Sequence, residues 1–326
     1  MDRGTAEAVP YDSGTAKAAP YTPDPDVLGR PIRDADTVRR PFRDADIVGR
    51  PFRGAGAIRV IAAGKAAPAM ASAAARRLGA RIRAGLVIGV APSAVPAGFE
   101  SIIGGHPLPT AASEDAGRKA LALAASLAAD EMLLVLISGG ASALMAVPAD
   151  GVTLDDKRAT TERLLRAGAD IHALNTVRKH LSALKGGWLA ARAPGACHTL
   201  VISDVVGDDP SVIASGPTVG DASRFQDALD VLARFGGEAV YPPAVVARLG
   251  RGAADLDAAV PETPKPDDPR LSRASTTIIG SRRDAMAGAA AEAASRGYEV
   301  LRLDDAVVGD ARTTAVSHLR SVLARA

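Results

Sequence analysis

Aromatic residues, cysteines and long apolar segments are all scarce in this chain. Only 3% of its 326 residues are aromatic although 47% are hydrophobic, so its core must be built from Ala, Val, Leu and Ile, as in closely packed layers of helices on sheets. The single cysteine, Cys197, excludes an intramolecular disulfide and a cysteine-only metal cluster, which suits a reducing compartment. No apolar stretch approaches the roughly 20 residues of a membrane span, and the N-terminus has no apolar signal segment. We therefore expect a cytoplasmic, soluble protein.

The chain also lacks a strong charge of either sign. Lys and Arg total 39 and Asp and Glu total 37, which leaves a net charge of +2. So small a charge does not indicate a nucleic-acid or membrane-surface partner. A small-molecule ligand fits this composition better, and a homo-oligomer is a possible assembly.

Residues 1–53 form a repetitive leader. Residues 4–11 recur as 14–21, and Arg-Pro segments begin at Arg30, Arg40 and Arg50, at ten-residue spacing. Regular prolines and balanced charges oppose a packed core, so we expect an extended or disordered segment, with a docking role as the weaker alternative.

Short apolar runs alternate with amphipathic segments after the leader. Strands are predicted at 58–63, 86–90, 132–137 and 198–203, with helices between them. This order predicts an α/β fold with a doubly wound, mostly parallel, Rossmann-like sheet over residues 54–240. Residues 241–272 are predicted to be a linker because of their prolines, and residues 273–326 form only a β-α-β-α unit, the incomplete start of a second α/β domain.

The loops after the predicted strands are the places to look for chemistry, because open α/β sheets bind ligands beyond the carboxyl ends of their strands. Residues 138–142 read Ser-Gly-Gly-Ala-Ser, which lacks the second glycine of a hydrolase nucleophile elbow. Gly64 and Lys65 are not part of a Walker A motif. What remains is a noncanonical anion cradle made by Ser138, Gly139, Gly140 and Ser142, or simply a tight turn.

Carboxylates and basic residues elsewhere could complete such a site. Asp204 and Asp208 are hard oxygen ligands suited to Mg²⁺, although aspartates in this loop could equally cap a turn. One predicted helix carries basic and amide side chains that would suit a carboxylate or phosphate, or form a solvated face: Asn175, Arg178, Lys179 and Lys185.

Several other residues are ambiguous. His106 lies in a proline-stiffened loop, where it could face a ligand or stabilise the loop. The turn from Ser215 through Gly216 to Thr218 could add hydroxyl contacts. Trp188 and Cys197 are interpreted as packing residues.

The ordered motifs together resemble the glycerate 2-kinase family with MOFRL-type C-terminal domains. The motifs that carry the resemblance lie at residues 63–67, 105–109, 136–144, 175–182, 185–187, 203–209 and 213–218. The resemblance implies ATP-dependent, Mg²⁺-supported phosphorylation of the 2-hydroxyl of D-glycerate to 2-phosphoglycerate. It implies that Lys65 neutralises charge on the transferring group, that Asp204 and Asp208 position Mg²⁺, and that the 138–142 loop cradles a phosphate. Arg178, Lys179 and Lys185 would then hold glycerate or nucleotide oxygens.

The sequence departs from that family at its ends. The leader replaces an expected helical segment, Arg282 stands where Asn is usual, and the chain stops at Ala326, before the family's Gly-Gly-Arg-Asn motif. We therefore expect a truncated chain whose activity alone is doubtful. Two alternatives stay open: an NAD(P)H-dependent hydroxypyruvate reductase, against which the absence of a dinucleotide fingerprint argues, and a non-catalytic anion-binding remnant.

Overall fold

A six-stranded, fully parallel sheet organises the molecule. The computed structural model describes residues 56–254, 260–302 and 311–324. The strands are β1 Ile58–Ala63, β2 Ile82–Gly89, β3 Phe99–Ile103, β4 Met132–Ile137, β5 Ala196–Ile202 and β6 Ala274–Gly280. Their spatial order is β3-β2-β1-β4-β5-β6, and every neighbouring pair is parallel. The predicted doubly wound α/β fold is confirmed.

Helices cover and connect the strands. They are α1 Ala67–Leu78, α2 Ala111–Ala125, α3 Ala141–Leu144, α4 Leu154–Arg166, α5 Ile171–His180, α6 Trp188–Ala191, α7 Phe225–Arg234, α8 Pro243–Ala253, α9 Arg282–Ser295 and α10 Ala311–Leu323. Short 3₁₀ turns lie at Gly79–Arg81, Ile213–Ser215, Glu238–Val240 and Pro269–Leu271. Within the described ranges, no helix is both long and apolar enough to cross a membrane.

The central strands are apolar on both faces because helices cover both sides of the sheet. All six residues of β4 are buried, and so are five of the six residues of β1. Two-sided burial explains the continuous apolar runs that made these strands recognisable. A separate apolar cluster joins α4, α5, α7 and α8 around Val177, Phe225 and Leu249 and packs α5 against the other three helices.

Several elements differ from the sequence expectations. β3 was not predicted, since its short run has only two isoleucines and one aromatic residue. The helix that the sequence predicts over 171–185 ends at His180, and Gly186 and Gly187, beyond its end, have left-handed conformations. The β-α-β-α unit predicted over 273–326 would have its second strand near residue 298, but residues 298–302 form no strand.

The segments around the predicted domain boundary are packed. Residues 241–272 contain α8, and Tyr241, Val260 and Thr263 from this stretch are buried. β6 is the edge strand of the same sheet, paired with β5. A division of the chain near residues 241–272 stays a prediction, and the repetitive leader lies outside the described residues.

Candidate functional site

The loops after β1 and β4 meet where the chain direction across the sheet reverses. The chain runs from β1 outward to β2 and β3, then crosses back to β4 on the other side of β1. Such a switch point opens a crevice beyond the strand ends. Here the Lys65 amide donates to the Gly139 carbonyl at 2.9 Å, and the Ala66 amide donates to Ser138 Oγ at 3.0 Å. The two loops are therefore joined into one surface.

Only glycine fits at the points of closest approach between these loops. Gly64 has a φ of 126°, and a Cβ there would overlap the Ser138 side chain and carbonyl. A left-handed conformation with no space for a side chain requires glycine. Gly64 therefore permits the close approach of the loop after β1 to the loop after β4.

Three predicted site residues converge on Gly139 and Gly140. A Cβ on Gly139 would overlap the carboxylate of Asp204. A Cβ on Gly140 would lie 2.9 Å from His106 Cδ2 and 3.7 Å from Lys65 Cγ. The structure thus brings together side chains from the loops after β1, β3 and β5 over the loop after β4.

This cluster is open and its polar groups are available to a ligand. Lys65, His106 and Asp204 are exposed, and their side chains make no hydrogen bond to any described residue. The Gly139 and Gly140 amides likewise donate no hydrogen bond within the described part of the chain. Backbone amides beside a flexible ammonium are the donor set that binds phosphate or carboxylate oxygens.

The acidic loop after β5 combines a left-handed backbone with an unpartnered oxygen. Asp208 has a φ of 54°, and its Oδ1 is buried without a hydrogen bond to the described residues. A buried carboxylate oxygen of this kind fits a hard cation such as Mg²⁺. No group of three or more His, Cys, Asp or Glu side chains placed to hold a metal occurs in the described ranges. A cation here would therefore need phosphate or water oxygens as further ligands.

Lys185 lies beneath the loop and not at its surface. Its ammonium is almost fully buried and donates to the carbonyls of Ser142 at 2.8 Å, Met145 at 3.2 Å and Ala214 at 3.5 Å. Burial, and then the charges of Arg178 and Lys157, hold the pKa of Lys185 well below its ordinary value. This side chain, which the sequence predicts to hold nucleotide or glycerate oxygens, joins the 138–147 segment to the 214–216 turn.

A chain of buried hydrogen bonds extends this support to α5. Ser142 Oγ lies 2.9 Å from Ser215 Oγ, which donates to Asn175 Oδ1 at 2.8 Å. Asn175 Nδ2 in turn donates to the Val212 carbonyl at 3.2 Å. Ala214, Ser215 and Gly216 are all left-handed, so this turn stores strain that the surrounding bonds must offset. Thr218 also lies inside, accepting from Thr199 Oγ1 at 2.8 Å.

The C-terminal end of α5 is held by a buried ion pair and by a histidine–carboxylate hydrogen bond that the sequence did not reveal. Lys179 Nζ lies 3.2 Å from Asp221 Oδ1, and both side chains are buried. His180 Nε2 lies 2.9 Å from Glu262 Oε1, while its Nδ1 lies 2.8 Å from the Thr176 carbonyl. Asp221 and Glu262 lie in segments without any recognisable motif. Only the three-dimensional contacts identify them as supports of the site helix.

Arg178 differs from its neighbours on α5. Its guanidinium is half-buried, makes no hydrogen bond or ion pair with any described residue, and burial lowers its pKa to about 10.

Cys197 and Trp188, which are interpreted from the sequence as packing residues, pack against other parts of the chain. Burial raises the pKa of Cys197 to about 12, and the ring of Trp188 packs under the Arg270 guanidinium at 5.0 Å.

The predicted site residues therefore divide into an open group and a supporting group. The open group lines the loop surface: Lys65, His106, Gly139, Gly140 and Asp204. The supporting group is buried beneath it: Ser138, Asn175, Lys179, Lys185, Ser215, Gly216 and Thr218. Arg178, Ser142 and Asp208 are half-buried and lie at the border between the two groups.

Comparisons with known proteins identify a family and several relatives of this chain. Residues 32–250 match the family described as Domain of unknown function (DUF4147). A protein of Agrobacterium vitis that carries the name hydroxypyruvate reductase is 42% identical over 255 residues, covering 78% of this chain and 55% of the relative. Human glycerate kinase is 45% identical over 205 residues, covering 62% of this chain and 38% of the relative.

A solved structure of a glycerate kinase also resembles the fold of this chain. The crystal structure of glycerate kinase from Thermotoga maritima superposes with a TM-score of 0.66 at 36% identity, covering 76% of this chain and 57% of that one. The chain therefore spans between about two fifths and three fifths of the length of these relatives.

Proposed function

Because this chain belongs to the glycerate kinase family, we propose that it takes part in ATP-dependent phosphorylation of D-glycerate at the 2-hydroxyl, giving 2-phosphoglycerate. The observation that carries the proposal is the convergence of Lys65, His106 and Asp204 on two glycines whose amides donate no hydrogen bond to any described residue. Phosphoryl transfer needs little covalent help from a protein and depends on positioning and charge stabilisation. This donor set can supply both.

Each part of the site has a proposed role. The Gly139 and Gly140 amides with the Lys65 ammonium would hold phosphate oxygens and neutralise the charge that develops on them. Asp204 and Asp208 would hold Mg²⁺, which neutralises phosphate charge when it is bound. The Arg178 guanidinium would bind a second oxyanion, and His106 would contact the acceptor substrate.

The buried polar residues are proposed to act by positioning. Lys185 and the Ser142, Ser215 and Asn175 hydrogen bonds connect the phosphate-binding loop to α5. Lys179 and its partner Asp221 fix the same helix near its C-terminal end. Through these contacts Arg178 keeps its place relative to the loop, which matters because small misplacements cost large factors in rate.

The experiment is a paired assay on the full chain. One reaction contains D-glycerate, ATP and Mg²⁺ and is followed by ³¹P NMR, which distinguishes 2-phosphoglycerate from 3-phosphoglycerate. The other contains hydroxypyruvate and NADH or NADPH and is followed at 340 nm, because the A. vitis relative's name raises that activity. We expect 2-phosphoglycerate and no cofactor oxidation.

Lys65→Met tests the proposed role of the Lys65 ammonium in neutralising phosphate charge. Lys119→Met is the matched control. Lys119 is exposed and pairs with Glu100 and Asp115 on the surface, away from the loop. We expect the first variant to lose ~100-fold or more in turnover and the second to lose nothing. Equal turnover in both variants, or NADH oxidation without phosphoglycerate, would contradict the proposal.

A further inference from the structure

The loop after β3, residues 104–110, crosses the carboxyl edge of the sheet to reach the loop after β4. β3 is an edge strand, and both β2 and β1 lie between it and β4. A Cβ on Gly104 would nevertheless lie 2.9 Å from Leu144 Cδ2. One on Gly140 would lie 2.9 Å from His106 Cδ2 and 3.2 Å from His106 Nε2. This path places the imidazole, with its Nε2 atom, directly beside the candidate phosphate-binding loop.

Backbone hydrogen bonds hold the loop after β3 in this path. The Gly104 amide donates to the Gly89 carbonyl at 3.0 Å. The Gly105 and Thr110 amides both donate to Ser113 Oγ, at 2.9 and 3.1 Å. Ser113 lies in the first turn of α2 and is fully buried. The two ends of the loop are therefore tied together on one buried hydroxyl group.

The His106 side chain takes no part in that framework. It is exposed, and neither ring nitrogen forms a hydrogen bond to a residue that the structure describes. An imidazole that is held in place through its backbone and has no partner of its own is available to a bound substrate. Imidazole is also the side chain that most often transfers a proton in enzyme catalysis.

The other polar side chains of the site are less suited to accept a proton. Lys65 and Arg178 bring hydrogen-bond donors to the site. The Ser142 hydroxyl is already engaged in the buried hydrogen-bond chain beneath the loop. Asp204 and Asp208 are the groups proposed to hold Mg²⁺, and a carboxylate beside a cation is a weak base, because the positive charge favours its ionised form.

We propose that His106 is the general base of the phosphoryl transfer and that its Nε2 atom takes the proton of the glycerate 2-hydroxyl. The inference rests on the proposed function. As the hydroxyl oxygen forms its bond to the γ-phosphorus of ATP, the O–H bond breaks and the proton passes to Nε2. The bond from the γ-phosphorus to the bridging oxygen breaks, and ADP leaves with that electron pair. The imidazolium then returns the proton to the solvent.

Steady-state kinetics of the full chain with D-glycerate, ATP and Mg²⁺ test this role. A positioned base contributes ~100-fold or more, so we expect His106→Ala to lower kcat ~100-fold while both KM values change less than about threefold. Imidazole added to the assay should raise kcat of this variant in proportion to its concentration and leave the wild type unchanged. His172→Ala, which removes an exposed histidine in the first turn of α5, is the matched control and should keep full turnover.

His106→Gln separates proton transfer from hydrogen bonding. A glutamine side chain can accept a hydrogen bond from the substrate hydroxyl but cannot take up its proton. We therefore expect this variant to be as slow as His106→Ala. Titration calorimetry with ATP alone should give wild-type affinity for both variants. Circular-dichroism melting checks that each variant is folded, and the glutamine variant keeps the test valid if the alanine variant unfolds.

Three results would overturn the inference. They are near-wild-type turnover in His106→Gln, a loss in His106→Ala that imidazole does not restore, and weakened ATP binding, which would assign His106 to the phosphates instead. ³¹P NMR of the wild-type reaction separates these results from a failure of the proposed function. Formation of 2-phosphoglycerate by the wild type together with any of them retains the kinase proposal and removes the base. If the wild type forms no 2-phosphoglycerate, both proposals are wrong.

Discussion

Glu262 anchors the end of α5, and its replacement by Gln should destabilise the protein in a pH-dependent way. The carboxylate accepts hydrogen bonds from His180 Nε2 at 2.9 Å, the Thr263 amide at 2.8 Å and the Phe225 amide at 3.1 Å. Both oxygens are in use as acceptors. A glutamine has one acceptor oxygen, so its NH₂ group would face a donor and one partner would be left unsatisfied.

The expected loss in the free energy of unfolding can be worked out from the lowered pKa of Glu262. Burial raises the pKa of Glu262, but the hydrogen bond and charge of His180, with the Thr263 and Phe225 amides, lower it from 4.5 to about 2. A shift of ~2.5 units corresponds to ~3.4 kcal/mol. The side chain is 31% exposed, so screening by water reduces the expected loss in the free energy of unfolding to about 2 kcal/mol.

The direction of the pKa shift of Glu262 determines the pH range over which its carboxylate stabilises the protein. Because the folded-state pKa lies below the unfolded value of 4.5, the carboxylate contributes its full stability above about pH 5 and loses it as the pH falls toward 2. Urea unfolding of wild type and Glu262→Gln should therefore differ by about 2 kcal/mol at pH 7, and this difference should shrink below about pH 4.5 and vanish only as the pH approaches 2. Glu238→Gln, an exposed position on a 3₁₀ turn, is the matched control and should change stability by less than ~0.5 kcal/mol. A difference of equal size at every pH would refute the reasoning.

Three further predictions concern the loop and the core. Gly139→Ala places a Cβ against the Asp204 carboxylate, so we expect a folded protein by circular dichroism with turnover reduced ~100-fold; unchanged turnover would show that this contact is irrelevant. Lys185→Met removes the donor to three buried carbonyls, so urea unfolding should show a loss of about 3 kcal/mol, and a neutral result would mean that water replaces the ammonium. Cys197 is buried and its pKa is raised to about 12, so a thiol reagent at pH 8 should modify it only after unfolding; rapid reaction with the folded chain would contradict the packing seen here.

The strands and their loops were largely readable from local sequence. Runs such as 132–137 are apolar at every position, because both faces of a central parallel strand are covered, and this pattern is visible without the fold. Since the carboxyl ends of parallel strands share one edge of the sheet, the loops bearing Lys65, Gly139 and Asp204 could be expected to meet.

The sequence by itself thus determined the α/β class, the central strands and the loops that form the candidate site. Only the tertiary structure decided which polar side chains lie open and which lie beneath. Lys185 reaches the Ser142 carbonyl across 43 residues, and His180 reaches Glu262 across 82. Burial and hydrogen-bond partners arise from contacts between segments far apart in the chain, so periodicity and motif spacing carry no information about them. For the same reason the open Lys65 and the buried Lys157 look alike in sequence and differ in the folded protein.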